Sequence, residues 1–256
     1  MSRARIRETR KIAAPIFVVS TLLFLWGWIG NDILIQNESK APSLSKGSRV
    51  NGYLVYGKRL RIRGPNYESY SRVLSTLGRT CVHDKVRATV IGGYGAAYAE
   101  DPTLLFVFGE TGWCSGGSFW PHRTHQNGMS VDFMVPVRRS GRIDTLPATV
   151  FDLFGYGNEF DDEGKLGEYE IDWDAMMLHL VKLEAAAKKN GVKIERVIFD
   201  PKLQVHLARA KGGKRLLKRL NFTDKPVWTR HDDHYHVDFV TRKKAEEAPE
   251  TADSGE

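Results

Sequence analysis

Cysteine is scarce in this chain: Cys81 and Cys114 are the only two in 256 residues. That excludes a disulfide-dense scaffold and any zinc site built from four thiolates, leaving either one disulfide or two buried thiols. No internal repeat is apparent. No His-Glu-x-x-His helix is present, so no glutamate stands ready as the base of a helix-borne metal site. No nucleic-acid recognition motif accompanies the net charge of +7. Histidine is unevenly spread. Five of the eight lie in two short stretches, "PHRTHQNGMSVDF" from Pro121 and "RHDDHYHVDF" from Arg230.

The N-terminus bears on the compartment. "MSRARIRETRK" carries five positive charges and one negative, and the nineteen residues Ile12 to Gly30 carry none. A bilayer core of roughly 30 Å needs about 20 apolar residues in a helix. A cleaved signal peptide has a shorter apolar region, on the order of 7–15 residues, and a small-x-small site, which this run lacks. Trp26 and Trp28 stand near its distal end, as interfacial aromatics do. The pattern predicts a cytoplasmic basic tail over 1–11 and a transmembrane anchor over 12–30. A cleaved signal sequence is the alternative, and in either case the remainder is exported. Residues 37–242 hold 31 basic and 24 acidic side chains. Such a surplus suits an anionic surface or substrate, and ordinary surface charge explains it equally well. Nucleic acid is excluded as a partner by the compartment as well as by the missing motif.

Residues 31–50 are polar and read as a linker. The folded domain follows over 51–241, and 242–256 is an acidic tail with a disordered composition. "YLVYGKRLRIR" reads as two short strands around Gly57, and "NYESYSRVLSTL" as a helix capped by Asn66. "DKVRATVIGGYGAAYAE" has helical spacing weakened by Gly92, Gly93 and Gly95. "TLLFVFGE" reads as a buried strand. "DWDAMMLHLVKLEAAAKKNG" is the clearest helix, with Asp172 as cap and Gly191 as stop. "VKIERVIFD" is a strand, "DPKLQVHLARA" a helix capped by Asp200, "GGKRLLKRL" a basic helix, and "HYHVDFV" the last strand. The class is α+β, with an antiparallel sheet and flanking helices behind the N-terminal transmembrane helix.

Side chains in a strand alternate between faces. In "HYHVDFV", His234, His236 and Asp238 share one face, while Tyr235, Val237 and Phe239 share the other. In "SVDFMV", Ser130 and Asp132 oppose Val131, Phe133 and Val135. Each strand therefore offers an apolar side to a core and a polar side to something else. Two strand histidines, an aspartate from a neighbouring strand and a loop histidine supply the imidazole nitrogens and carboxylate oxygen of a catalytic zinc site, which uses three protein ligands and keeps one position for water. On the residues alone, either His234 or His236 serves as the strand ligand. A structural zinc site and a non-haem iron site with two histidines and one carboxylate are the competing readings. His83, His179 and His206 lie outside the clusters and read as surface or core groups.

His122-x2-His125-x6-Asp132 together with His231-x2-His234-x-His236 resembles the penicillin-insensitive murein endopeptidases, zinc peptidases of the lysostaphin, D-Ala-D-Ala peptidase and sonic hedgehog group. "HQNGMSVD" is similar to that family's His-Gln-x-Gly-x-x-Val-Asp stretch, and "ERVIFDP" to the strand between its two halves. The resemblance runs from about Asn51 to Phe239. It implies zinc held by His125, Asp132 and His236, with His234 as general base and with His231 and His122 as cleft residues that orient water or stabilise an oxyanion. It further implies peptide cross-bridges of peptidoglycan as substrate, and a place on the periplasmic face of a bacterial inner membrane. A D-Ala-D-Ala carboxypeptidase on the same fold, a non-catalytic wall-binding module that retains zinc, and a zinc-free interaction domain are the alternatives. Arg123, where small residues are usual, and Asp238, where a non-acidic residue is expected, depart from the pattern.

Overall fold

The computed structural model describes residue 21 and residues 26–242 apart from 211, 226 and 228. The basic tail 1–11, most of the apolar run and the acidic tail beyond Arg242 lie outside the described residues. Residues 26–36 form a helix, α1. The expected transmembrane helix is not supported, because no helix among the described residues is long and apolar enough to cross a membrane. The physical reason lies in the residues that α1 presents. Asn31 is 1% exposed, and its Nδ2 donates to the Leu60 carbonyl at 3.0 Å. Trp28, expected at a membrane interface, lies under the Arg72 guanidinium, 4.4 Å away. A helix end with such partners is docked on the folded domain.

The segment read as a linker holds β1 (Leu44–Gly47), which pairs antiparallel with β2 (Gly52–Val55). A short ladder joins β3 (Lys58–Arg59) to β5 (Cys81–Val82). Between them lie β4 (Tyr67–Ser69) and α2 (Arg72–Thr76). The helix expected from Asn66 therefore starts later. Ser71 is its cap, accepting from the Leu74 N–H at 3.3 Å, while Asn66 is buried and donates to the Tyr94 carbonyl. Next come α3 (Asp84–Glu100) and β6 (Phe106–Phe108). A Cβ at Gly93 would lie 3.1 Å from the Leu183 Cα, so a glycine that weakens the helix also lets its neighbour pack close.

After β7 (Ser130–Met134), the chain forms β8 (Val137–Arg139), β9 (Arg142–Asp144), a 3-10 turn at Leu153–Gly155, β10 (Lys165–Leu166) and β11 (Tyr169–Ile171). Strands β8 to β11 make a small separate sheet. Then follow α4 (Trp173–Lys189) and β12 (Val192–Ile198). Asp172 caps α4 by accepting from the Ala175 N–H at 3.0 Å. Helix α5 (Gln204–Arg209) starts four residues beyond Asp200, whose Oδ1 instead closes a turn with the Lys202 N–H. Helix α6 (Gly213–Arg219) and β13 (His234–Thr241) complete the described elements.

The main sheet has the order β12-β13-β7-β6-β4. It is mixed rather than wholly antiparallel, because β4 runs parallel to β6. Its apolar face, with Val131, Phe133, Tyr235, Val237 and Phe239, joins Val90 and Tyr94 of α3 and Leu180 and Leu183 of α4 in one buried cluster. Burying each such side chain contributes on the order of 1.5–3 kcal/mol. The two helices thus fix the sheet from one side and leave its polar face to the opposite side.

Candidate metal centre

Strand β13 pairs with β7 in a register that sets His236 directly opposite Asp132 and Asp238 opposite Ser130. Directly opposed Cβ atoms lie about 4.5–5.5 Å apart, so these side chains must meet. His236 Nδ1 is 2.8 Å from Asp132 Oδ1, and both residues are buried.

The loop between β6 and β7 brings the first cluster over these strands. Cys81 and Cys114 form a disulfide that ties the loop to β5. His125 has φ +67, a left-handed conformation that histidine adopts more readily than bulky branched residues. A Cβ at Gly112 would lie 2.3 Å from the His125 carbonyl oxygen, so only glycine permits that approach. His125 Nε2 then lies 3.3 Å from Asp132 Oδ1, and its ring centroid is 4.7 Å from that of His236. Neither ring nitrogen of this fully buried imidazole makes a well-formed hydrogen bond. A buried polar group without such a bond calls for an explanation, and an ion is one of the ordinary ones. His122, His125 and Asp132 each place a ligand atom within 4.8 Å of the others, a group able to hold a metal ion.

Carboxylates and hydroxyls back the site. Glu110 Oε2 is 2.6 Å from His122 Nε2. The Tyr156 hydroxyl accepts from the Glu110 N–H at 2.7 Å and donates to Asp132 Oδ2 at 3.0 Å. His234 Nδ1 pairs with Asp233 Oδ1 at 2.5 Å, and His231 Nδ1 lies 2.9 Å from the Thr229 carbonyl. The rings of His231 and His234 are 4.7 Å apart. Glu110 and Tyr156 escape sequence reading, since nothing local links either to a histidine. Asp233 adjoins His234, and that adjacency was its available signal.

Burial pushes the Asp132 carboxyl up, but the imidazoles of His125 and His236 outweigh it and hold it well below the usual range. Burial lowers His125 and, with His234 beside it, takes His231 down to about 3. Burial also acts to lower His236, but Asp238 and Asp132 raise it to about 10. Burial acts to lower His234, but Asp233 and Asp132 raise it. Glu110, pushed up by burial, is brought down to about 2 by His122 and Arg79.

All six histidines and aspartates named from the sequence converge here, and five of them line a cleft of about 780 Å³ with Tyr70, Arg79, Trp120 and Tyr156; His125 lies beneath. The other three histidines are elsewhere. His83 caps α3, His179 stacks on Tyr94 in the core, and His206 stacks on Trp173. Comparison with curated proteins gives no match. A family model described as penicillin-insensitive murein endopeptidase matches residues 45–254, most of the chain.

Proposed function

The chain belongs to the penicillin-insensitive murein endopeptidase family, and on that premise we propose that it is a zinc-dependent hydrolase that opens the peptide cross-links of peptidoglycan. The observation that carries this reading is the placement of His236 opposite Asp132, beside the buried His125 imidazole that lacks a well-formed hydrogen bond.

His125, Asp132 and His236 would hold the ion. Two imidazole nitrogens and one carboxylate oxygen match the donors and the count of a catalytic zinc site. His122 also falls within reach, with its Nε2 beside Glu110; the family pattern assigns the ligand role to the strand histidine, His236. Zinc bound there would lower the pKa of a water to about 7 and polarise the scissile carbonyl.

The remaining work falls to the chain's own groups. A carboxylate accepts hydrogen bonds and donates none, so the Asp233 contact puts a proton on His234 Nδ1, and in the neutral ring Nε2 carries the lone pair. Nε2 is then suited to take a proton from the attacking water and deliver it to the leaving amine. The Thr229 carbonyl likewise requires His231 Nδ1 to be the donor. In the neutral ring that its burial enforces, His231 Nε2 can only accept, which suits orienting water rather than stabilising an oxyanion. No acyl-enzyme serine is needed, so penicillin would not trap the reaction. The disulfide supports an oxidising compartment outside the cytoplasm, where peptidoglycan lies.

Digestion of purified muropeptide dimers, followed by mass spectrometry with zinc or with a chelator, tests the reading. Dimers split to monomers only with zinc is the expected result. Loss of a terminal residue with the cross-link intact would indicate a carboxypeptidase. Intact dimers with bound zinc would indicate a wall-binding module, and a chain without zinc would indicate an interaction domain.

A further inference from the structure

Asp238 is fully buried on the polar face of β13, two residues from His236. Its Oδ1 accepts from His236 Nε2 at 2.8 Å and from the Ser130 hydroxyl at 2.7 Å. Its Oδ2 accepts from Arg196 Nη2 at 2.6 Å and Nε at 3.0 Å, and Arg49 Nη1 lies 3.2 Å away. These partners fill the acceptor capacity of a carboxylate, so its orientation is set from several sides.

Arg196 reaches it because the two residues are paired in the register of β12 and β13, next to an irregularity between Ile194 and Arg196. Arg49 comes from the turn between β1 and β2. Its carbonyl also accepts from the Gln126 N–H at 3.1 Å, one residue beyond His125. One turn thus touches both halves of the candidate centre, the His125 loop through the backbone and the His236 strand through Asp238.

We propose that Asp238 is a positioning residue: it accepts the Nε2–H of His236 and fixes the ring so that Nδ1, beside Asp132, is the nitrogen that would give up its proton to bind zinc, with Arg49 and Arg196 bracing the carboxylate. The inference rests on the zinc reading above and adds to it a residue that the sequence pattern marks only as a departure. A carboxylate on the far nitrogen of a ligating histidine fixes the tautomer and raises ligand basicity. A buried carboxylate serving only to balance Arg49 and Arg196 would not need His236 as a partner, since both arginine side chains keep about 30% of their surface in solvent.

The first test needs no substitution. Long-range ¹H–¹⁵N correlation on the zinc-loaded full chain reports which ring nitrogen of His236 is protonated. A proton on Nε2 is expected, and a proton on Nδ1 would overturn the proposal. The second test is zinc affinity by competition with a chromogenic chelator. Asp238→Asn should weaken binding by about 10–100-fold, and unchanged affinity in a folded variant would overturn the proposal. Arg49→Met spares the His236 contact, is partly exposed and keeps the fold testable; it should weaken zinc in the same sense but less. A wild-type chain that binds no zinc would instead remove the functional reading on which the proposal stands.

Discussion

His236 lies directly across the β13–β7 ladder from Asp132, Nδ1 to Oδ1 at 2.8 Å, while His234, two residues earlier on the same face, turns its Nδ1 to Asp233. One strand therefore presents two imidazoles with different partners, and different partners imply different work. His125→Ala, Asp132→Ala and His236→Ala should each lose both zinc and hydrolysis. His234→Ala should keep most of its zinc and lose roughly 10²–10⁴ in rate, the usual worth of a positioned acid–base group. His122→Ala should keep its zinc. Metal content of the five variants checks this, and zinc lost from His122→Ala but retained in His236→Ala would exchange their roles.

Asp233→Asn isolates the group that orients the base. The amide can present either its oxygen or its NH₂ to His234 Nδ1, so the favoured tautomer is no longer enforced. We expect kcat to fall by at least about tenfold with KM and zinc stoichiometry unchanged. A rate equal to wild type would show that His234 needs no such orientation.

The disulfide should matter to stability and not to the metal. Cys81 and Cys114 are 33 residues apart, and closing a loop of that size stabilises a fold by roughly 3–4 kcal/mol in the chain-entropy model. Cys114→Ser should lower the unfolding free energy by an amount of that order and still bind one zinc per chain. Loss of zinc from a folded Cys114→Ser chain would contradict this.

Acid sensitivity should trace in part to His179, far from the candidate centre. Burial holds its pKa at about 3, against an ordinary value of 6.5. The folded state thus refuses a proton that the unfolded chain accepts. The contribution to stability is complete above pH 6.5 and is lost as the pH falls toward about 3. His179→Phe, placed among Tyr94, Phe106 and Phe133, should flatten the stability curve in that window by up to about 1.4 kcal/mol per pH unit. Denaturant unfolding at several pH values would reveal an unchanged slope if another group is responsible.

Local rules made much of this protein legible in its sequence. The twofold alternation of "HYHVDFV" and "SVDFM" separates polar from apolar faces without reference to any other segment, and the histidine spacing follows from it. Asp172 and Gly191 mark the ends of α4 for the same reason, since capping involves only neighbours in sequence. What lay beyond reach depends on long-range closure. The His125 loop is placed by a disulfide to β5, by a backbone bond to Arg49 and by the close approach of its own Gly112 to His125, the first two distant along the chain. Glu110 and Tyr156 reach the site only because β6 and the segment after β9 fold beside β7. The apolar run at the N-terminus shows the same limit from the other side. Its composition suits a bilayer, but a composition does not reveal that the buried Asn31 finds hydrogen-bond partners on Leu60 and Arg59. Residue chemistry and period determined which groups could act together; only tertiary packing decided which nitrogen of each histidine faces which partner.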